Sequence, residues 1–143
     1  MWPEGIPAGA YSHLNYAFAF VDPDSFDVAP MADADKALYR RFTGLKDSNP
    51  GLQTWISIGG WSMNDLDQPT HDTFSNLAGS SDAQQKFFNS LLSFMSTYGF
   101  DGVDIDWYGN YEDTIDVNPL TSESGNIQSL LSVQDDPRTI RLT

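Results

Sequence analysis

Asp101, Asp104 and Asp106 fall within six residues of the stretch Phe100-Asp-Gly-Val-Asp-Ile-Asp-Trp-Tyr108, whose other members read as a buried β-strand. Strand alternation puts Asp104, Asp106 and Tyr108 on one face, and Val103, Ile105 and Trp107 on the other. Aspartate is depleted in strands and neighbouring carboxylates repel, so a row kept in this way points to a site. Two carboxylates at adjacent positions on one face couple their titrations, which is the arrangement acid–base chemistry uses. A metal is the second possibility. The calcium-loop spacing fits at Asp104, Asp106 and Gly109, but Tyr108 and Ile115 stand where ligands belong. A solvated edge strand with its carboxylates outward is the third. Another cluster precedes the row, Ser57-Ile-Gly59-Gly60-Trp61. The glycine pair makes a turn, or lets a planar ligand approach the backbone beside an aromatic ring. His13 and His71 have no partner at useful spacing, and neither a Gly-x-Ser-x-Gly elbow nor a phosphate-binding glycine loop occurs.

The elements needed to position these groups are readable. Tyr11 to Phe20 is an aromatic strand, with Leu14, Tyr16, Phe18 and Phe20 on one face and His13, Asn15, Ala17 and Ala19 on the other. Asp33 is placed to cap a helix through Leu38, Phe42 and Leu45. Thr54 to Ile58 is a second buried strand, and a polar loop is expected from Ser62 to Ser80. Ser81 and Gln84 read as a capping box for a helix whose stripe is Phe87, Phe88, Leu91, Leu92, Met95 and Tyr98, closed by Gly99. The order β, α, β, α, β specifies a parallel α/β sheet, and such sheets bind ligands at the carboxyl ends of their strands. Both chemical clusters fall at such ends. Residues 108–143, rich in Asp, Asn, Ser and Thr, read as a loop-like or disordered tail, so the division is 1–107 and 108–143.

Composition narrows the partner. The 143 residues carry 7 Lys and Arg against 20 Asp and Glu, a net charge of −13 that opposes nucleic acid and anionic membranes. Without cysteine there are no disulfides, thiolate metal sites or cysteine nucleophile. No apolar run approaches a bilayer span, and Met1 to Gly5 lack the features of a signal peptide. Oligomeric state is left open.

These residues together carry a resemblance. Asp101-Gly-Val-Asp104-Ile-Asp106-Trp107 resembles the DxxDxDxE strand of the family 18 glycoside hydrolases, the chitinases, and Ser57-Ile-Gly59-Gly60 matches their SxGG motif one strand earlier. Leu14-Asn-Tyr16-Ala-Phe18-Ala-Phe20 looks like the family's second barrel strand, and Gly5 to Trp107 looks most like the killer-toxin-like chitinases of filamentous fungi. The resemblance implies a partial (β/α)₈ TIM barrel, with these segments as about strands two to four. It implies a secreted, extracellular enzyme that needs no cofactor. The implied reaction is retaining endo-hydrolysis of β-1,4-linked N-acetylglucosamine in chitin, the sugar's own acetamido oxygen serving as nucleophile. By position, Asp106 orients the acetamido group and Asp104 tunes Asp106 from below. Ser57 bonds near Asp104, while Phe18, Gly60 and Trp61 line the sugar subsite. Asp101 has a structural role. The family's proton donor is the closing glutamate, and here Tyr108 stands in its place, as a substitution or beside a deletion. A phenol titrates near 10, and losing a general acid costs roughly 10²- to 10⁴-fold, so impaired or absent hydrolysis is expected. A non-catalytic chitin-binding protein and a truncated product without function are the alternatives.

Overall fold

The computed structural model describes residues 2–107, 131–133 and 139–142. Ten helices and strands are named among them: β1 (His13–Val21), β2 (Val28–Pro30), α1 (Asp35–Thr43), β3 (Gln53–Gly59), α2 (Trp61–Asn64), α3 (Thr73–Ala78), α4 (Ser81–Tyr98), β4 (Gly102–Asp106), β5 (Leu131–Val133) and β6 (Thr139–Leu142). They build one sheet in the order β2-β1-β3-β4-β6-β5. β1, β3 and β4 are parallel neighbours joined by helical crossovers, as the alternation of apolar periods requires. This is a mixed α/β chain with three consecutive strands of a barrel-type sheet. β4 lies between β3 and β6, so the carboxylate row is not on an edge strand.

The two faces of the parallel strands differ sharply. One carries Ile56 and Ile58 of β3 with Val103 and Ile105 of β4, all buried against the helices. At about 1.5–3 kcal/mol for each large apolar side chain removed from water, this face supplies much of the stabilisation. Tyr39 of α1 is the hub, with ring centroids 4.7 Å from Tyr16, 5.1 Å from Tyr98 and 5.5 Å from Phe100. The register sets Asn15 beside Trp55, Ala17 beside Ser57, and Ser57 beside Asp104 on the opposite face. The polar groups are gathered there.

Five local expectations are corrected. Alternation in β1 does not run unbroken: the Ala17–Phe18 peptide is cis, and the pairing with β3 slips by one residue between Ala17 and Ala19. Beyond the slip Ala19 and Val21 are buried in the core, while Leu14 and Tyr16 pack against it before the slip. Asp33 does not cap α1, because its carboxylate is engaged by Lys36 and the N-cap is Ala34. The cap of α4 is Ser80 rather than Ser81, its hydroxyl accepting from the Ala83 N–H at 3.3 Å. Gln84 reaches instead to the Ala78 carbonyl. The buried stripe of α4 is Ala83, Phe87, Leu91 and Phe94, whereas Leu92, about 100° around the helix from Leu91, is exposed. Finally, the stretch read as a polar loop holds α2 and α3, since Met63, Phe74 and Leu77 turn into the core. Gly99 ends α4 as expected, at φ 82°, its N–H bonding to the Met95 carbonyl.

Within 108–143, Leu131–Val133 and Thr139–Leu142 are strands rather than loop. They form an antiparallel hairpin, and β6 pairs along β4 in the register Val103↔Leu142 to Asp106↔Thr139. The free backbone groups of β4 attract any segment with some strand propensity, even one in a polar region. The remainder of 108–143, including Tyr108, lies outside the described residues.

Candidate active site

The site is built where β1, β3 and β4 end. Asp104 sits one register step inside the strand ends, opposite Ser57. Two neighbours converge on its Oδ2: the Ser57 hydroxyl donates at 2.9 Å and the Asn15 amide at 3.2 Å. Its Oδ1 is buried without a hydrogen-bond partner among the described residues. The carboxylate is thus fixed by one oxygen while the other offers unused acceptor capacity within the sheet face.

Asp106 ends β4, opposite Gly59. Its carbonyl accepts from the Gly60 N–H at 3.0 Å and from the Asn64 amide at 3.1 Å. The glycine pair is required by this contact. Gly59 and Gly60 have φ of 113° and 77°, and a Cβ on Gly59 would run into the Asp106 carbonyl. A Cβ on Gly60 would meet the Phe18 ring at 2.9–3.2 Å. Close approach, not a free-standing turn, explains both.

Phe18 therefore packs directly over Gly60, and its carbonyl accepts the Tyr39 hydroxyl at 3.0 Å, a link from the core to the site. Trp61, the first residue of α2, is 70% exposed. It presents an aromatic surface beside Gly60. Of the residues read from the sequence, Ser57 and Asp104 are in direct contact, Phe18 and Gly60 likewise, and Gly60 binds the Asp106 backbone. Sequence reasoning missed Asn15, Asn64 and Tyr39. Asn15 could have been found, because it shares a strand face with Ala17 beside the Ser57 position. Asn64 gives no signal of its own in a polar stretch.

Asp101 stands apart, at the opposite end of β4. Its Oδ2 accepts the Thr54 N–H at 2.8 Å and hydroxyl at 3.2 Å, and Oδ1 pairs with Lys46 at 2.7 Å. Partial burial pushes this carboxyl up, but the Lys46 ammonium and the Thr54 N–H outweigh it and hold it below the usual carboxylate range.

The model for "Glycosyl hydrolases family 18" matches residues 2–132. The chain belongs to that family. The family 18 match runs past Trp107, where the sequence motifs stop. A probable endochitinase of Caenorhabditis elegans is 34% identical over 73% of this chain and 17% of its own length. The structure of a family 18 chitinase variant from Cycas revoluta, in complex with (GlcNAc)₄, is 32% identical, with a TM-score of 0.64 over 76% of this chain and 30% of its own. A human protein whose structure is titled as a pseudo-chitinase with retained chitooligosaccharide binding is 31% identical, with a TM-score of 0.62 over 75% of this chain and 27% of its own. The chain spans a quarter or less of the length of the curated relatives it matches.

Proposed function

We propose that this chain recognises chitin or N-acetylglucosamine oligosaccharides at the carboxyl ends of β1, β3 and β4, and does not hydrolyse them. The observation that carries the reading is Asp104, clamped by Ser57 and Asn15 one step inside Asp106. In a substrate-assisted reaction the acetamido oxygen attacks the anomeric carbon, and positive charge develops on the ring that forms. A carboxylate at Asp106 orients the acetamido N–H and stabilises that charge, while Asp104 tunes it from below. Gly60 lets the sugar approach the backbone, with Phe18 and Trp61 offering apolar faces to pyranose rings. The missing function is protonation of the leaving oxygen: the motif's closing glutamate is not found, and Tyr108, a phenol, follows Trp107 in the sequence. The human pseudo-chitinase relative supports separating binding from hydrolysis. A secreted, extracellular setting goes with a polymeric substrate of this kind.

The test uses the purified 143-residue chain. Retention on chitin beads and a calorimetric titration with chitopentaose are expected to report binding, with no release of chromophore from a chromogenic chitobioside. Trp61→Ala is expected to lower the affinity about tenfold, at unchanged melting temperature, through loss of one stacking face. Turnover of the chitobioside would overturn the non-hydrolytic part. Equal retention of the variant and the parent would overturn the placement of the sugar.

A further inference from the structure

We propose that Asn64 is the positioning residue that ties the exposed sugar platform to the carboxylate strand. This inference deepens the sugar-site reading above and rests on it for its functional meaning. Asn64 is the last residue of the single-turn helix α2, and its side chain is turned inward, 6% exposed. Its amide donates twice, to the Gly60 carbonyl at 2.6 Å and to the Asp106 carbonyl at 3.1 Å. Asp106 thereby shares its carbonyl between the Gly60 N–H and the Asn64 amide, which closes a ring through both strand ends.

A four-residue helix cannot hold itself, since most of its backbone groups have no partner within it. Here the far end is held by the next segment. The Thr70 hydroxyl donates to the Met63 carbonyl at 2.8 Å, and His71 Nδ1, in the Nδ1–H tautomer, donates to the Asn64 carbonyl at 3.1 Å. Trp61 sits at the start of this helix and Asn64 at its end, so the orientation of the tryptophan relative to Asp106 passes through the Asn64 amide. Only a side chain with two N–H donors can hold both carbonyls at once. Its Oδ1 is buried with no partner among the described residues.

The experiment compares the 143-residue chain with Asn64→Leu, which keeps the volume and removes both donors, and with Asn64→Ser, which keeps one. Amide hydrogen exchange is read at Gly60 and, as an internal reference, at Ile56 and Ile58 in the body of β3. In Asn64→Leu, Gly60 protection is expected to fall about tenfold relative to Ile56 and Ile58, and chitopentaose affinity to fall about tenfold with it. Asn64→Ser should lie between the two. A merely structural role would move all three amides together, and that result would overturn the proposal. If Asn64→Leu does not fold, the same comparison in Asn64→Ser decides. If the parent chain does not bind chitopentaose, the sugar reading fails, and the Gly60 measurement still tells whether Asn64 ties the strand ends.

Discussion

Asp104 lies within β4 and Asp101 immediately before it, yet their neighbours give them opposite duties. Asp101 is held by Lys46 of the crossover before β3 and by Thr54 of β3, and joins the beginning of β4 to β3. Its folded-state pKa is lowered, so the stability it contributes is present above its unfolded value and is lost as pH falls toward the folded one. Asp101→Asn should therefore cost about 1–2 kcal/mol at neutral pH, after allowance for solvent screening at this partly exposed pair, and flatten the acid limb of the stability curve. Urea melts between pH 2 and 7 check this, and parallel curves for parent and variant would refute it. Asp104 has polar neighbours of another kind, an uncharged hydroxyl and an uncharged amide, which fix its direction. The sequence distinguishes the two aspartates only through motif position. Lys46 and Asn15 are 55 and 89 residues away along the chain, beyond the reach of any local pattern.

Among the elements, α4 was the most legible and still taught the most about boundaries. Its 18 residues and Gly99 could be read from the apolar period, while the cap moved by one residue and Phe94 replaced Leu92 in the buried stripe. Periodicity fixes a face only to about one residue, and packing chooses within it. Ser80→Ala should lose about 1 kcal/mol by removing the N-cap oxygen. Gly99→Ala should lose about 1–2 kcal/mol from the left-handed backbone alone, since the nearest atom to an added Cβ, Thr43 Oγ1, is at an ordinary 3.5 Å. Circular dichroism melts of the two single variants and the double variant test whether the two ends act independently; the losses should add. The loop reading of residues 62–80 failed for a different reason. α2 and α3 are too short to show a period; α2 is held by bonds from Thr70, His71 and Asn64, and α3 by Phe74 and Leu77 in the core.

At the scale of the molecule, the parallel β1-β3-β4 order and its helical cover followed from the alternation of strand and helix patterns. The hairpin β5–β6 did not, because seven strand residues in a polar segment have no periodicity strong enough to stand out and are selected by the partner they meet on β4. Deleting Thr139–Leu142 should uncover β4 and produce concentration-dependent association in size-exclusion chromatography with light scattering. An unchanged monomer-sized peak would count against the pairing.

The opposite margin of the sheet has its own consequence. β2 covers β1 only from Ala19 to Val21, and no described strand lies along the same edge from His13 to Phe18. Each such edge belongs to a body bearing thirteen excess negative charges. At low ionic strength mutual repulsion keeps these edges apart, but screening shortens from about 10 Å at 0.1 M salt to about 3 Å at 1 M. Added salt, which loosens most charged assemblies, should therefore draw copies of this chain together.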